Sequence, residues 1–100
     1  MDHEHTSGTA VGTVLISNDR TIVTRWSFAG RGANTGWHTH GHDYVVVPQF
    51  TGILEIDDGE KITRAEMTTG VPYFRSRGVS HDVINGNDFA CDFIEIEFLP

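Results

Sequence analysis

The segment that decides the fold is Gly32-Ala-Asn-Thr-Gly-Trp-His38-Thr-His40-Gly-His42-Asp-Tyr44-Val-Val-Val47. Three histidines stand at alternate positions in it, and a run of valines follows them. Side chains alternate between the two faces of a strand, so we expect His38 and His40 to point the same way. Two neighbouring imidazoles suit the first-row divalent metals. Because this spacing also arises easily by chance, the segment alone leaves open whether it binds a metal.

Short strands separated by turn residues are predicted on both sides of this segment, without helical periodicity. The pattern indicates roughly nine strands, at residues 13–17, 21–28, 37–40, 44–47, 52–57, 61–67, 72–75, 81–85 and 90–98. Asp57-Asp58-Gly59 is a hairpin signal. Gly41-His42-Asp43 predicts a tight turn that pairs the strands at 37–40 and 44–47. Strands spaced by about 8–12 residues are typical of an all-β sandwich or barrel.

Alternation within the strands also predicts which side chains face the core. We expect Trp26 and Phe28 on an inward face, as core residues in preference to a platform for substrate. In the last strand we expect the apolar residues to point inward and the acidic residues to point outward. The predicted inward residues there are Ile94, Ile96 and Phe98, and the predicted outward residues are Glu95 and Glu97.

Length and charge limit the function classes. One hundred residues correspond to a single domain, with residues 1–9 as a loose polar tail and residues 10–100 as the folded part. A formal net charge of −7 argues against nucleic acid and anionic membranes as partners. The single cysteine, Cys91, excludes an internal disulfide. We find neither a signal segment nor an apolar run of about 20 residues, so a cytoplasmic protein is expected.

Two groups of residues together resemble the two sequence motifs of the cupins. Gly32-x5-His38-x-His40, followed by Gly52, is similar to the first motif. Gly70-x5-Ser76-x-Gly78-x2-His81-x3-Asn85 is similar to the second, with Ser76 in place of the usual proline. The sequence around His38 also resembles the small, RmlC-like single-domain cupins labelled β-alanine-degradation proteins. The resemblance implies a double-stranded β-helix, or jelly-roll barrel.

The resemblance also implies a ligand set of His38, His40 and His81 around a divalent transition metal, with Fe, Ni, Mn, Cu and Zn all compatible. Cupins usually add a glutamate four or five residues after the second histidine, where this sequence has Tyr44 and Val45. Strand parity places Tyr44 inward and Asp43 in the turn or on the opposite face. A tyrosine hydroxyl with a pKa of about 10 is a poor ligand at neutral pH. Tyr44 is therefore expected to hydrogen-bond to a metal-bound water or ligand. Three neutral imidazoles would leave the metal charge uncompensated, so we expect an anionic small-molecule ligand.

Four further residues are candidate contacts for that ligand: Trp26, His42, Tyr73 and Arg75. His42, in the predicted turn, is either a reserve metal ligand or an exposed loop residue. Arg75 could hold a carboxylate through two parallel hydrogen bonds, although a solvated arginine is the commoner arrangement. Two residues have structural interpretations: Asn85 ties down a turn, and Cys91 is a small buried hydrophobe.

Three functions fit these features. The first is a metal-dependent enzyme of the oxygenase type that acts on a small carboxylate or carbonyl metabolite. The second is a non-catalytic small-molecule binding or sensing module, which the missing glutamate favours. The third is a metal-free isomerase or epimerase with histidine as general base, which needs a carboxylate partner that the predicted inward faces lack. The resemblance further implies a homodimer, with Val23, Ile53 and Phe93 as outward apolar residues.

Overall fold

The computed structural model describes residues 8–100, which form nine β-strands. The strands are β1 (Val11–Ser17), β2 (Thr21–Phe28), β3 (His38–Thr39), β4 (Asp43–Pro48), β5 (Gly52–Asp57), β6 (Ile62–Met67), β7 (Tyr73–Arg75), β8 (Ser80–Asn85) and β9 (Cys91–Phe98). Each predicted strand is confirmed, with ends that differ by at most two residues. The predicted tail lies outside the described residues except for Gly8 and Thr9. Within residues 8–100, no helix has the length and apolar character needed to cross a membrane.

The strands form two antiparallel sheets. The five-stranded sheet has the order β1-β2-β9-β4-β7, and the four-stranded sheet has the order β3-β8-β5-β6. β5 and β6 pair across the hairpin predicted at Asp57-Asp58-Gly59. From β3 onward the chain crosses repeatedly between the two sheets. This winding is the all-β, double-stranded β-helix that the sequence resemblance implies.

The core lies between the sheets. Leu54, Phe28 and Trp26 are 0%, 1% and 4% exposed, respectively. The Phe28 and Phe93 rings pack with their centroids 5.6 Å apart. The prediction of Trp26 and Phe28 as inward residues is therefore confirmed, and Cys91 is buried as expected.

The predicted orientation of β9 is wrong. Its buried residues are Cys91, Phe93, Glu95 and Glu97, whereas Ile94 and Ile96 are half-buried and Phe98 is exposed. Phe93, expected on the outer surface as an interface residue, is part of the core. β9 lies in the middle of its sheet, and Ile96 is flanked there by Val23 of β2 and Val45 of β4. The neighbouring strands therefore pack against Ile96 from both sides, and the face that carries Glu95 and Glu97 points into the barrel.

The predicted hairpin between β3 and β4 is also wrong. β3 pairs with β8, whereas β4 pairs with β7 and β9. Residues 40–42 therefore connect two sheets instead of forming a tight turn within one. The segment before β3 runs along β8: the Thr35 amide donates to the Val83 carbonyl at 2.9 Å. The histidine segment is thus anchored to β8.

Candidate metal centre

Three imidazoles converge inside the barrel. His38 of β3 and His81 of β8 are direct cross-strand partners, so both side chains lie on the same face of the four-stranded sheet. His40 follows β3, and all three histidines are buried. The Nε2 atom of His40 lies 3.1 Å from Nε2 of His38 and 3.1 Å from Nε2 of His81. The structure thus brings together the three histidines singled out in the sequence.

A hydrogen bond sets the tautomer of His38. Its Nδ1 atom lies 2.8 Å from the carbonyl oxygen of Gly36. A carbonyl can only accept, so Nδ1 carries the hydrogen and Nε2 of the neutral ring keeps its lone pair for the cluster. Gly36 has a φ of +84°, in the left-handed region that favours glycine. This backbone conformation directs the Gly36 carbonyl toward the ring.

The spacing of the three nitrogens fits a shared cation. Two nitrogen ligands about 2.1 Å from one ion lie about 3.0 Å apart at a right angle and about 3.4 Å apart at the tetrahedral angle. Both observed Nε2–Nε2 distances are 3.1 Å, which falls within this interval. Without a cation, a hydrogen on Nε2 of His40 serves only one of its two neighbours. Imidazole nitrogens are also ligands that first-row divalent metals accept.

Two carboxylates approach the same place from the other sheet. Glu95 and Glu97 are 2% and 1% exposed. One oxygen of each lies within 4.8 Å of a ring nitrogen of His40, so His40 belongs to two groups that could hold a metal. The sequence interpretation missed both glutamates because it placed them on the outer face. The expectation of an anionic ligand considered the three imidazoles alone, whereas the structure places two acidic side chains beside them.

Tyr44 takes the inward position that strand parity predicts. Its ring stacks on the His40 ring, with centroids 3.8 Å apart and planes at 15°. Tyr44 is buried, and its cross-strand partner on β9 is Glu97. Asp43 is exposed, and its carboxylate accepts the Arg77 amide hydrogen at 2.9 Å. Asp43 is therefore engaged outside the histidine cluster.

A cavity of about 80 Å³ lies against the histidines. Trp26, Tyr73 and Arg75, three of the candidate ligand contacts, help to line it. The guanidinium carbon of Arg75 lies 4.6 Å from the centre of the Tyr73 ring. Burial raises the pKa of Tyr73 to about 12, with an opposing effect of Arg75 and a smaller reinforcing effect of Glu95. The Tyr73 hydroxyl is therefore a neutral hydrogen-bond donor at physiological pH.

His42 is the candidate that the structure does not bring to the cavity. It is half-buried in the connection between β3 and β4 and is not among the cavity-lining residues. The crossing between the sheets separates it from His38 and His40, although the three alternate in the sequence.

Comparison with known proteins gives matches over most of the chain. The chain is 48% identical over 88 residues to the β-alanine degradation protein BauB of Pseudomonas aeruginosa, covering 88% of this chain and 92% of that protein. It also matches the crystal structure of a cupin domain from Bordetella pertussis Tohama I. That match has a TM-score of 0.87 and 46% identity, over 91% of this chain and 94% of the other. The chain belongs to the cupin family.

The cupin fold extends to far more distant proteins. An RmlC-like cupin from Methanocaldococcus jannaschii shares 12% identity with a TM-score of 0.73, over 96% of this chain and 85% of the other, and shows the fold alone. No protein-family model matches the chain. In this cupin Tyr44 stands where the motif resemblance leads us to expect a glutamate, and the carboxylates near His40 come from β9.

Proposed function

We propose that this cupin binds a divalent transition metal through His38, His40 and His81 and acts on a small carboxylate or carbonyl metabolite. The observation that carries the proposal is the convergence of three buried imidazoles, with Nε2 of His40 3.1 Å from Nε2 of each of the other two. A divalent cation between the three rings would accept a lone pair from each neutral imidazole nitrogen directed at it. The two carboxylates beside His40 add to the negative potential that favours such a charge.

The proposed reaction is of the oxygenase type. Iron, nickel, manganese, copper and zinc all accept histidine ligands. When bound, the metal would supply redox chemistry or Lewis-acid polarisation of a carbonyl. Three protein ligands would leave coordination positions open for the substrate. The chain's own residues would orient the substrate. Tyr44 holds the His40 ring by stacking and would hydrogen-bond to the ligand. Tyr73 would donate a hydrogen bond to it from a neutral hydroxyl.

The dimensions and lining of the cavity indicate the ligand class. A volume of about 80 Å³ lies well below the roughly 300–1,000 Å³ of pockets for drug-sized ligands. We therefore propose a ligand of only a few heavy atoms. Arg75 lines the cavity from an exposed position and could pair with a carboxylate, while Trp26 supplies an apolar wall. The name of the Pseudomonas relative refers to β-alanine, a small carboxylate that belongs in any test panel.

Elemental analysis of the purified protein tests the metal site. His40→Ala is expected to lose most of the bound metal, because His40 contributes the nitrogen close to both other imidazoles. His42→Ala is the matched control, since it removes a histidine two positions away and outside the cavity. His42→Ala is expected to keep the wild-type metal content. Unchanged metal in His40→Ala would contradict the proposal.

Oxygen uptake separates an enzyme from a binding module. With a panel of small amino, keto and thiol acids, we expect uptake with at least one compound and its loss after chelation or in His40→Ala. Saturable binding of a panel compound without turnover would instead support a binding or sensing module.

A metal-free isomerase or epimerase is the second candidate function. The sequence interpretation counted against it because no inward carboxylate was expected near a histidine. Glu95 and Glu97, each with an oxygen within 4.8 Å of a ring nitrogen of His40, are candidates for that partner. A histidine tuned by a carboxylate is a suitable general base. Isomerisation that persists after exhaustive chelation would favour this candidate.

We also propose a homodimer, located in the cytoplasm. An apolar row crosses the outer face of the five-stranded sheet through successive cross-strand partners: Ile16, Val23, Ile96, Val45 and Phe74. Continuous apolar patches of this kind often mark interfaces. Of the interface residues expected from sequence, Val23 belongs to this row, and Ile53 lies on the other sheet. The cytoplasm is proposed because a single buried cysteine suits a reducing compartment.

A further inference from the structure

Asp82 is the acidic residue that follows His81 in β8. Successive side chains of a strand point to opposite faces, so His81 points into the barrel and Asp82 points away from it. Asp82 Oδ1 accepts the Gly36 amide hydrogen at 3.0 Å. The Asn34 side-chain amide donates to both Asp82 oxygens, at 3.2 and 3.0 Å. Asp82 therefore holds the segment that leads into β3.

The same segment controls the orientation of His38. The Gly36 amide is fixed by Asp82, and the Gly36 carbonyl accepts the Nδ1 hydrogen of His38 at 2.8 Å. Between these two groups lies the left-handed backbone of Gly36. Thr35 supports this arrangement, because its hydroxyl accepts the Val83 amide hydrogen at 3.1 Å and lies 3.3 Å from Nδ1 of His38. Two hydrogen bonds, joined by the backbone of Gly36, thus connect Asp82 to the His38 ring.

We propose that Asp82 is a positioning residue that keeps His38 in the Nδ1–H tautomer, with the Nε2 lone pair directed at the histidine cluster. Its consequence for metal affinity rests on the proposed function, whereas its effect on the tautomer does not. Because β8 supplies both His81 and Asp82, one strand provides a metal ligand and holds another in place. Partners that orient a ligating histidine typically contribute about 10–100-fold to metal affinity.

The chain offers a closely matched control. Asp57 of β5 is the direct cross-strand partner of Asp82, so it lies on the same face of the same sheet. Its carboxylate accepts the Gly59 amide hydrogen at 2.9 Å, within the β5–β6 hairpin. Asp57→Asn therefore removes the same charge at nearly the same place while leaving residues 34–36 untouched.

The tautomer is tested on metal-free protein by two-dimensional ¹H–¹⁵N NMR of the imidazole rings. We expect His38 of the wild type to be protonated on Nδ1, and Asp82→Ala to shift a measurable population to the Nε2–H form. Asp57→Asn is expected to leave the tautomer unchanged. Asp82→Asn retains an oxygen for the Gly36 amide and is expected to restore most of the wild-type tautomer. A wild-type His38 protonated on Nε2 would overturn the proposal even if Asp82→Ala failed to fold.

Metal affinity is the second readout. Titration with zinc is expected to show affinity reduced about 10–100-fold in Asp82→Ala and changed less than about twofold in Asp57→Asn. Equal affinities and identical His38 tautomers in wild type and Asp82→Ala would overturn the role of Asp82. A wild type that binds no metal would overturn the proposed function alone, and the tautomer comparison would then decide the role of Asp82.

Discussion

Glu97 is a buried acidic residue, and the free-energy cost of its burial depends on the groups around it. It is 1% exposed and faces Tyr44 directly across β4 and β9. Moving an ionised carboxylate out of water costs several kcal/mol unless nearby charges and hydrogen bonds compensate. Glu95 adds a second buried carboxylate on the same face. A cation bound by the three histidines would lower this cost, so the proposed metal and the two glutamates would stabilise each other.

Cys91 provides a prediction about reactivity at the scale of one residue. Burial raises the pKa of its thiol to about 11, a hydrogen bond from Asn87 lowers it, and Asp92 raises it slightly. The thiolate is the reactive form. Since each pKa unit is a factor of ten in thiolate, we expect native protein at pH 8 to react with iodoacetamide about 100-fold more slowly than urea-unfolded protein.

The pH dependence of alkylation checks the cause of this difference. In the native protein the rate is expected to keep rising until the pH approaches 11, because the thiol stays protonated below that value. In the unfolded chain the rate should level off about two pH units earlier. Fast labelling of native protein at pH 8, followed by mass spectrometry, would contradict the buried, protonated thiol.

At the scale of elements, two asparagines hold the turn that follows β8. Asn85 donates from Nδ2 to the carbonyls of Gly30 and Phe89 at 3.0 and 2.8 Å, which confirms its predicted role in tying down a turn. Asn87 reaches across to β5, where it accepts the Ile53 amide hydrogen at 2.8 Å and donates to the Ile53 carbonyl at 2.9 Å. The end of β8, the strand that carries His81, is thus fastened to its neighbour.

Removing Asn87 should therefore destabilise the fold measurably. Asn87→Ala is expected to lower the free energy of unfolding by about 2–4 kcal/mol, because it removes three side-chain hydrogen bonds at buried or part-buried positions and leaves the Ile53 amide without its acceptor. Urea denaturation followed by tryptophan fluorescence measures the change. Asn18→Ala is the control: Asn18 accepts the Arg20 and Thr21 amides in an exposed turn, so a loss of about 1 kcal/mol is expected. Equal losses in the two variants would contradict the importance of the buried position.

At the scale of the whole molecule, the apolar row on the outer face of the five-stranded sheet predicts the oligomeric state. Ile96 lies in the middle of this row, between Val23 and Val45. Ile96→Lys places a charge at the centre of the proposed interface while the inner face of β9 stays intact. We expect the wild type to sediment as a dimer and Ile96→Lys to sediment as a folded monomer.

Ile62→Lys is the control for this experiment. Ile62 is 58% exposed on β6, in the other sheet, and its replacement is expected to leave the dimer intact. Analytical ultracentrifugation distinguishes the species. A monomeric wild type at high protein concentration would contradict the proposed homodimer, and a dimeric Ile96→Lys would show that this face is not the interface.

The sequence by itself determined where the strands lie along the chain, and it singled out the histidines. Period-two alternation, β-branched runs and turn residues such as Asp57-Asp58-Gly59 act over a few neighbouring residues, so a local pattern is sufficient to identify them. The same alternation correctly predicts that the Tyr44 side chain points inward. His81 was added through the resemblance of the second motif to the cupins, since nothing local connects it with His38 and His40.

Only the tertiary structure decided which sheet each strand joins and which face of β9 is buried. β3 and β4 are separated by three residues yet lie in different sheets, because their partners β8 and β9 come from the far end of the chain. Residues 94–98 of β9 alternate between apolar and acidic side chains, so the local pattern there fits either orientation. Side chains of β2 and β4 flank Ile96 on the outer face, and His40 lies near Glu95 and Glu97 on the inner face. Since these contacts join residues distant in sequence, only the folded chain places Glu95 and Glu97 beside His40.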